Sequence, residues 1–556
     1  MVFNIKKVIA AALFTSGVFC LQAQPVAIKQ QLPAVGNDAT ITISGYTSAQ
    51  LDAIDNAPSS KPQPLSVGRL MTANYTPQTT GQWQKVYNGR IWRMKVVAKD
   101  AKGVSFYGKV NHLPKGAQLN IYDTKGTQWV NAYTEKNFSK HNILSSEAVQ
   151  GEEAIIEYFE PDGVNDEPQF VIEKVGYMFR EEKTNNAFQR KDFGSSDGCQ
   201  VNVNCPEGKG WESSASSVVR IKVLNDLSIV WCSGTLIISA DKKFKPYILS
   251  AMHCGLTANE KEFINDTLFK YWVFYFNYQS PTCANPISEG NLADNNIVGA
   301  EVKATSDDLG GEYGSDFLLM ELSSRVPTAW KAYYSGWNLD TTAQYTSGVT
   351  IHHPSGDIKK ISTYTWPLKF EAPFPTSPDN THWEAFWSAT ANGHGTTEGG
   401  SSGSALFDNN GLILGTLTGG NSSCSNKAGT DLFGRMDWHW TRNGTDSTKQ
   451  LKHWLDPLNT GAISQLGSFE EPESVQGITA LPLILSPNPA STTLVFESEW
   501  LNNSLAQVQI LNVLGQHFYS IPNNNNSVDI SALPQGVYFI TIHQKNNYFT
   551  AKFIKQ

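Results

Sequence analysis

Three short stretches carry residue types that can do chemistry together. The first, Leu249-Ser250-Ala251-Met252-His253-Cys254-Gly255, runs an apolar strand into a histidine placed directly before a cysteine. An imidazole is a general base near neutral pH, and a disulfide beside it would hold its backbone still, as a positioned base requires. The second, Gly399-Gly400-Ser401-Ser402-Gly403-Ser404-Ala405-Leu406-Phe407, sets serines among glycines. A flexible linker has the same composition, but this run leads straight into a buried-type strand at Leu412-Ile413-Leu414. Glycine lets the backbone turn tightly, so that N–H groups converge beside a serine hydroxyl. The third, Gly314-Ser315-Asp316-Phe317-Leu318-Leu319-Met320-Glu321-Leu322, opens an apolar strand with an acid. Such an Asp is usually a turn residue; buried against an imidazole it would fix the tautomer and stabilise the imidazolium. The chain order His, Asp, Ser is one of the orders in which a nucleophile, base and orienting acid occur.

These groups need a rigid frame, and the cysteines point to one. Cys199, Cys205, Cys232, Cys254, Cys283 and Cys424 all lie in the middle of the chain. The N-terminus explains the seventh, Cys20. Lys6 and Lys7 precede an apolar run from Val8 to Leu21, which reads as a signal peptide (residues 1–23) cleaved near Ala23. Phe19 before Cys20 argues against a lipoprotein anchor. An exported chain with six remaining cysteines implies disulfides, and no Cys-x-x-Cys or His-Glu-x-x-His supports zinc. Six cysteines allow 15 pairings.

Around that middle the chain reads as nearly all β. Trp92, Met94, Val96 and Ala98 alternate with Arg93, Lys95 and Lys99 in a period-two pattern, and Leu119-Asn120-Ile121 and the run 154–159 read as strands. Leu113-Pro114-Lys115-Gly116 is a turn signal. Residues 24–191 therefore predict a β-sandwich, ending in Phe188-Gln189-Arg190-Lys191-Asp192. Residues 192–466 predict a second β domain, with one helix over 449–455 stopped by Asp456-Pro457. Residues 467–480 have linker composition. Residues 481–556 predict a small β unit, with a loop at Asn523 to Asn526 and a strand from Gly536 to Ile542. With 43 basic against 51 acidic side chains and a net charge of -8, no broad basic field is available for nucleic acid.

The middle domain resembles the bacterial lysyl endopeptidases, a branch of the chymotrypsin-fold serine proteases. The resemblance rests on Cys199-x5-Cys205-Pro206-Glu207-Gly208, Ala251-Met252-His253-Cys254-Gly255 and Tyr275-Phe276-Asn277-Tyr278-Gln279. It continues through Ser315-Asp316-Phe317, Ile351-His352-His353-Pro354, Gly400-Ser401-Ser402-Gly403-Ser404 and Trp454-Leu455-Asp456-Pro457. It implies a double β-barrel with His253 as general base, Asp316 as orienting acid and Ser402 as nucleophile. The N–H groups of Gly400 and Ser402 fall on the oxyanion hole. The implied disulfides are Cys199–Cys424, Cys205–Cys283 and Cys232–Cys254, with no cofactor or metal. Asp431 falls at the base of the primary pocket, beside Thr418 and Gly419; Asp307 and Asp308 match no family position.

One departure concerns specificity. The lysyl enzymes carry a His, stacked with a Trp, where this chain has Thr418; Trp366, Phe370 and Phe374 are neighbours in sequence that do not settle the Trp. The expected activity is endopeptidase cleavage after Lys, with Arg left open. The alternatives are a trypsin-like enzyme preferring Arg and a non-catalytic surface-binding protein on a protease scaffold. His352 and His353 point to opposite faces of a strand and are assigned no metal and no catalytic role.

The flanks resemble a propeptide, with Lys191 as a cleavage site the enzyme could itself accept, and the C-terminal sorting domain of type IX secretion cargo. The latter rests on Leu485-Ser486-Pro487-Asn488-Pro489-Ala490, Val513-Leu514-Gly515-Gln516, Leu533-Pro534-Gln535-Gly536-Val537-Tyr538 and the basic tail 552–555. The expected partners are peptide substrates and the secretion machinery, not nucleic acid. The expected state is a monomer, released or surface-attached.

Overall fold

The computed structural model describes residues 25–55, 64–138, 142–180, 194–259, 261–286, 292–470, 480–497, 506–512, 517–523, 527–544 and 547–556. The signal run, Lys191, most of the linker at 467–480 and the loop residues 524–526 lie outside them. By internal contacts the chain forms two units, residues 1–470 and 471–556.

Two β-barrels carry the candidate site. In the first, the ladder runs Asn296–Val298, Val273–Phe276, Val218–Leu224, Ser228–Ile237, Tyr247–Ser250, Leu318–Leu322, Ala300–Thr305. Its two end strands are one stretch of chain bent at Gly299 (φ 91°), so the sheet curls back on itself. In the second, the ladder runs Lys360–Tyr364, Gly348–His352, Ala405–Asp408, Ile413–Gly420, Thr430–Arg435, His382–Phe386. A bridge between Tyr364 and Trp387 joins its ends. Closure leaves few exposed ladder groups and encloses apolar residues such as Ile221, Phe274 and Met320 in one barrel and Leu406, Leu414 and Phe433 in the other. The fold is all-β with two barrels, as the sequence predicts.

The N-terminal sandwich is present, and its alternation holds: Trp92, Met94, Val96 and Ala98 are all fully buried on one face of the strand Gly89–Ala98. The sandwich is not separate from the first barrel. Its strand Leu65–Tyr75 pairs with Gln169–Met178 on one side and with Ser228–Ile237 on the other. The register sets Leu65 opposite Trp231 and Arg69 opposite Ser228. Val67, Leu70, Tyr107, Ile143 and Met178 accordingly share one core cluster with the barrel.

Two local expectations change. The helix over 449–455 is split into a 3-10 turn, Ser447–Lys449, and a short helix, Lys452–Leu455. Gln450 between them is extended, because Leu451 N–H bonds the His439 carbonyl (2.9 Å) instead of continuing a helix. The linker composition also begins too early: Ser468–Phe469 still pairs with Tyr333–Tyr334 of unit one.

The C-terminal unit is a β-sandwich. A five-stranded sheet including Ala506–Asn512, Gly536–Gln544 and Asn547–Lys555 and a three-stranded sheet including Thr493–Glu497 bury Leu494, Phe496, Ile510, Ile540 and Phe553. Among the described residues no helix is long and apolar enough to cross a membrane.

Candidate active site

The register of the first barrel brings His253 to Asp316. Ser250 pairs with Leu318, so the residues just beyond each strand end meet. There Met252–Gly255 forms a 3-10 turn, tied to the neighbouring strand by the Cys232–Cys254 disulfide. Asp316 takes a left-handed conformation (φ 58°) that turns its carboxylate inward. One oxygen accepts the backbone N–H of His253 (2.9 Å) and the other contacts Nδ1 (2.7 Å). Asp316 is fully buried, so the carboxylate has a donor on each oxygen where water is absent. With the proton held on Nδ1, Nε2 is the basic nitrogen. It is buried and has no hydrogen-bond partner among the described residues.

Behind this pair stands Asp308, which matches no position of the family pattern. Its carboxylate accepts the N–H groups of Asp316 (2.8 Å), Gly311 (3.0 Å) and Gly310 (3.2 Å) and so defines the turn that presents Asp316. Burial, and secondly the charge of Asp316, push the Asp308 carboxyl up to about 6. A Cβ on Gly310 would come within 2.8 Å of the His253 Cβ, so the turn lies flat against the histidine.

The glycine–serine run is a packed loop, not a linker. Ser233 N–H holds the Ser402 carbonyl (2.8 Å), and Gly403 N–H bonds the Leu417 carbonyl (2.9 Å). Gly403 (φ 79°) lies so close to the His253-bearing turn that a Cβ would sit 2.1 Å from Ser250 Oγ and 2.7 Å from the Ala251 nitrogen. The Ser233 hydroxyl donates to the Gly400 carbonyl (2.9 Å). Among the described residues the N–H groups of Gly400 and Ser402 have no protein acceptor. No hydrogen bond joins Ser402 to His253 here; such contacts are commonly loose in a free enzyme and tighten on substrate.

Asp431 is buried in the second barrel. One carboxylate oxygen accepts three neutral donors: Trp387 Nε1 (2.6 Å), Ser422 Oγ (2.6 Å) and Thr397 Oγ1 (2.7 Å). The other has only a long contact from the Ser422 N–H (3.4 Å). Gly420 faces that second oxygen; a Cβ there would stand 2.2 Å from it. Thr418 is buried and its hydroxyl contacts His382 Nε2 (2.9 Å), while Gly419 is partly exposed beside it. Burial holds His382 neutral, with a pKa lowered to about 3. An imidazole thus stands beside position 418, supplied by a different strand. Phe374 packs near Gly311 and Thr418, whereas Trp366 is exposed and Phe370 stacks on Trp383.

The disulfides are Cys199–Cys424, Cys205–Cys283 and Cys232–Cys254. His352 and His353 diverge, one contacting Ser401 Oγ (2.7 Å) and the other the Asp357 carbonyl (2.8 Å). The His352 contact with the serine loop is not legible in sequence. Neither is His439, which links Ser315 Oγ (2.8 Å) to Thr416 Oγ1 (3.0 Å) beneath Asp316.

Comparison with known proteins agrees along the chain. The lysyl endopeptidase C-terminal domain matches residues 193–434 and the lysyl endopeptidase N-terminal domain residues 43–179. A secretion system C-terminal sorting domain matches residues 485–556. A lysyl endopeptidase of Pseudomonas aeruginosa is 24% identical over 322 residues, covering 56% of this chain and 62% of that protein. The chain therefore spans under two thirds of that relative's length. Among solved structures, a Glu endopeptidase in complex with MPD is 16% identical with a TM-score of 0.27, covering 44% of this chain and 92% of that one. Protease Anisep from Arthrobacter nicotinovorans is 15% identical with a TM-score of 0.28, covering 41% and 91%. The chain belongs to the lysyl endopeptidase family and carries that family's N-terminal domain in front and a secretion sorting domain behind.

Proposed function

We propose that the chain is the precursor of an exported serine endopeptidase that cleaves after Lys. The reading is carried by one observation: among the described residues, a buried imidazole whose Nδ1 is fixed on Asp316 has no partner on Nε2, beside a serine loop in which the Gly400 and Ser402 amides have no acceptor. Ser402 attacks the scissile carbonyl while His253 takes its proton. The N–H groups of Gly400 and Ser402 stabilise the oxyanion, His253 returns the proton to the leaving amine, and water then hydrolyses the acyl-enzyme.

Asp431 gives the basic specificity, and its hydrogen bonds favour Lys over Arg. A guanidinium binds a carboxylate best as a fork on both oxygens. Here one oxygen already carries three donors, and the other, facing Gly420, has only the long Ser422 N–H contact. A single acceptor suits the point charge of an ammonium. Thr418 and Gly419 form the adjoining edge for the substrate backbone.

Residues 24–191 act as a propeptide released at Lys191, a bond the enzyme's own specificity accepts. The sorting domain directs the protein through type IX secretion, to the medium or the cell surface. The test is cleavage of a peptide library by the processed protein. Cuts confined to Lys support the reading; equal or preferred cutting after Arg favours the trypsin-like alternative.

A further inference from the structure

The segment that follows the basic pair Arg190-Lys191 is tied into the interior. Gly194 N–H (2.7 Å) and Ser196 N–H (3.2 Å) donate to the Asp357 carboxylate, and so does the Ser196 hydroxyl. The Ser195 hydroxyl donates to the Ser355 carbonyl (3.1 Å), and Asp197 N–H to the Glu398 carboxylate (3.1 Å). Asp357 is fully buried. Its other partners are the N–H of Ile358 (2.7 Å) and the Lys360 ammonium at 3.4 Å. A carboxylate at such a depth depends on its donors, and three of them come from residues 194–196.

Asp357 closes a loop that backs the serine run. Its N–H bonds the Pro354 carbonyl (2.9 Å) and its carbonyl contacts His353 Nδ1 (2.8 Å). Within this loop Ser355 is left-handed (φ 54°), a conformation an ordinary side chain adopts only when its surroundings enforce it. The Ser355 N–H donates to the Gly399 carbonyl (2.7 Å). That carbonyl and the Gly400 N–H belong to one planar trans peptide and point in opposite directions. Fixing the carbonyl outward on Ser355 therefore aims the Gly400 N–H the other way. The packing leaves little play, since a Cβ on Gly400 would meet the Gly356 nitrogen and the His353 carbonyl at 2.9 Å each.

We propose that Asp357 is a positioning residue for the oxyanion hole: it gathers residues 194–196 and so holds the loop whose Ser355 N–H orients the Gly399–Gly400 peptide. The start of the processed chain, as much as the serine loop itself, then sets the rate of acylation. The proposal rests on the reading of Ser402 as nucleophile and Gly400 as an oxyanion donor.

The test compares processed wild type with Asp357→Asn and Ser196→Ala. Neither residue lies in the candidate catalytic or pocket set. Active sites are counted by fluorophosphonate labelling, and kcat and KM per labelled site are measured on a Lys ester. Binding of a Lys aldehyde, which needs the oxyanion hole, is compared with binding of n-butylamine, which needs only the pocket. Asp357→Asn is expected to lose about 10-fold to 100-fold in kcat, less than the roughly 100-fold to 1000-fold cost of removing an oxyanion donor outright because the donor is only misaimed, with KM and amine binding within twofold. Aldehyde affinity falls in the same proportion as kcat/KM. Ser196→Ala, which removes one hydroxyl and should fold normally, shows a smaller loss of the same kind. Unchanged kcat per site in both variants, or a loss shared by amine binding, would overturn the proposal while leaving the nucleophile reading intact. A wild type that does not label would overturn both.

Discussion

Replacing Asp431 by Asn changes one charge in a site that has no other described anion on the same donors. The variant keeps the size of the side chain and can still accept from Trp387, Thr397 and Ser422, so the pocket wall stays in place. What it loses is the attraction to a substrate cation at the oxygen facing Gly420. At about 3 Å and an effective dielectric near 20, the Coulomb term is roughly 5 kcal/mol. Desolvation of both ions reduces the net, and truncating one partner of a buried charge pair typically costs about 2–5 kcal/mol. That converts to a loss of roughly 30-fold to several thousand-fold in kcat/KM for Lys substrates. Substrates with a neutral residue before the cut should change little. The assay is kcat/KM on matched Lys, Arg and Leu amides, with fluorophosphonate labelling to show that Ser402 stays reactive. A Lys preference within threefold of wild type would refute the pocket assignment.

Other expectations follow from single contacts. Asp308 has a folded pKa of about 6, raised above its ordinary value of 3.8. A raised acid stabilises the fold below the unfolded value, and that stability is lost as pH rises through the folded one. Wild type should therefore lose about 2 kcal/mol relative to Asp308→Asn between pH 4 and pH 7, read by urea unfolding; a pH-independent difference between the two would contradict this. Asp308→Asn also sets an amide donor against one or more N–H groups of the turn, so kcat should fall at neutral pH even where the variant is folded. Gly403→Ala places a Cβ 2.1 Å from Ser250 Oγ at a left-handed position. It should abolish most activity and lower the unfolding midpoint by several degrees, whereas an alanine at exposed Gly198, which meets nothing within 4 Å, should do neither.

Much of the fold is legible in the chain because it is written in local pattern. The period-two alternation at Trp92 to Ala98 and the turn at Gly116 specify strands and their buried faces without tertiary help. The pairing of Leu65–Arg69 with Ser228–Trp231 is not legible, since no local pattern names a partner that far along the chain. The split at Gln450 has the same origin, a contact to the His439 carbonyl that overrides helical periodicity. At the candidate site, His253, Asp316 and Ser402 sit in recognisable motifs. The residues that hold them do not. Asp308 lies in Asp307-Asp308-Leu309-Gly310-Gly311, which has the composition of a surface turn, and only tertiary closure buries it. Asp357 and His439 are likewise ordinary polar residues until their partners, from distant segments, are in place.

Activation of Ser402 as a nucleophile by His253 is tested most directly by fluorophosphonate labelling of the processed protein, with the adduct located by mass spectrometry. A single adduct is expected on Ser402, absent in Ser402→Ala and slowed at least a thousandfold in His253→Ala. A processed, folded protein that takes no label, or one that labels equally after Ser402→Ala, would contradict it.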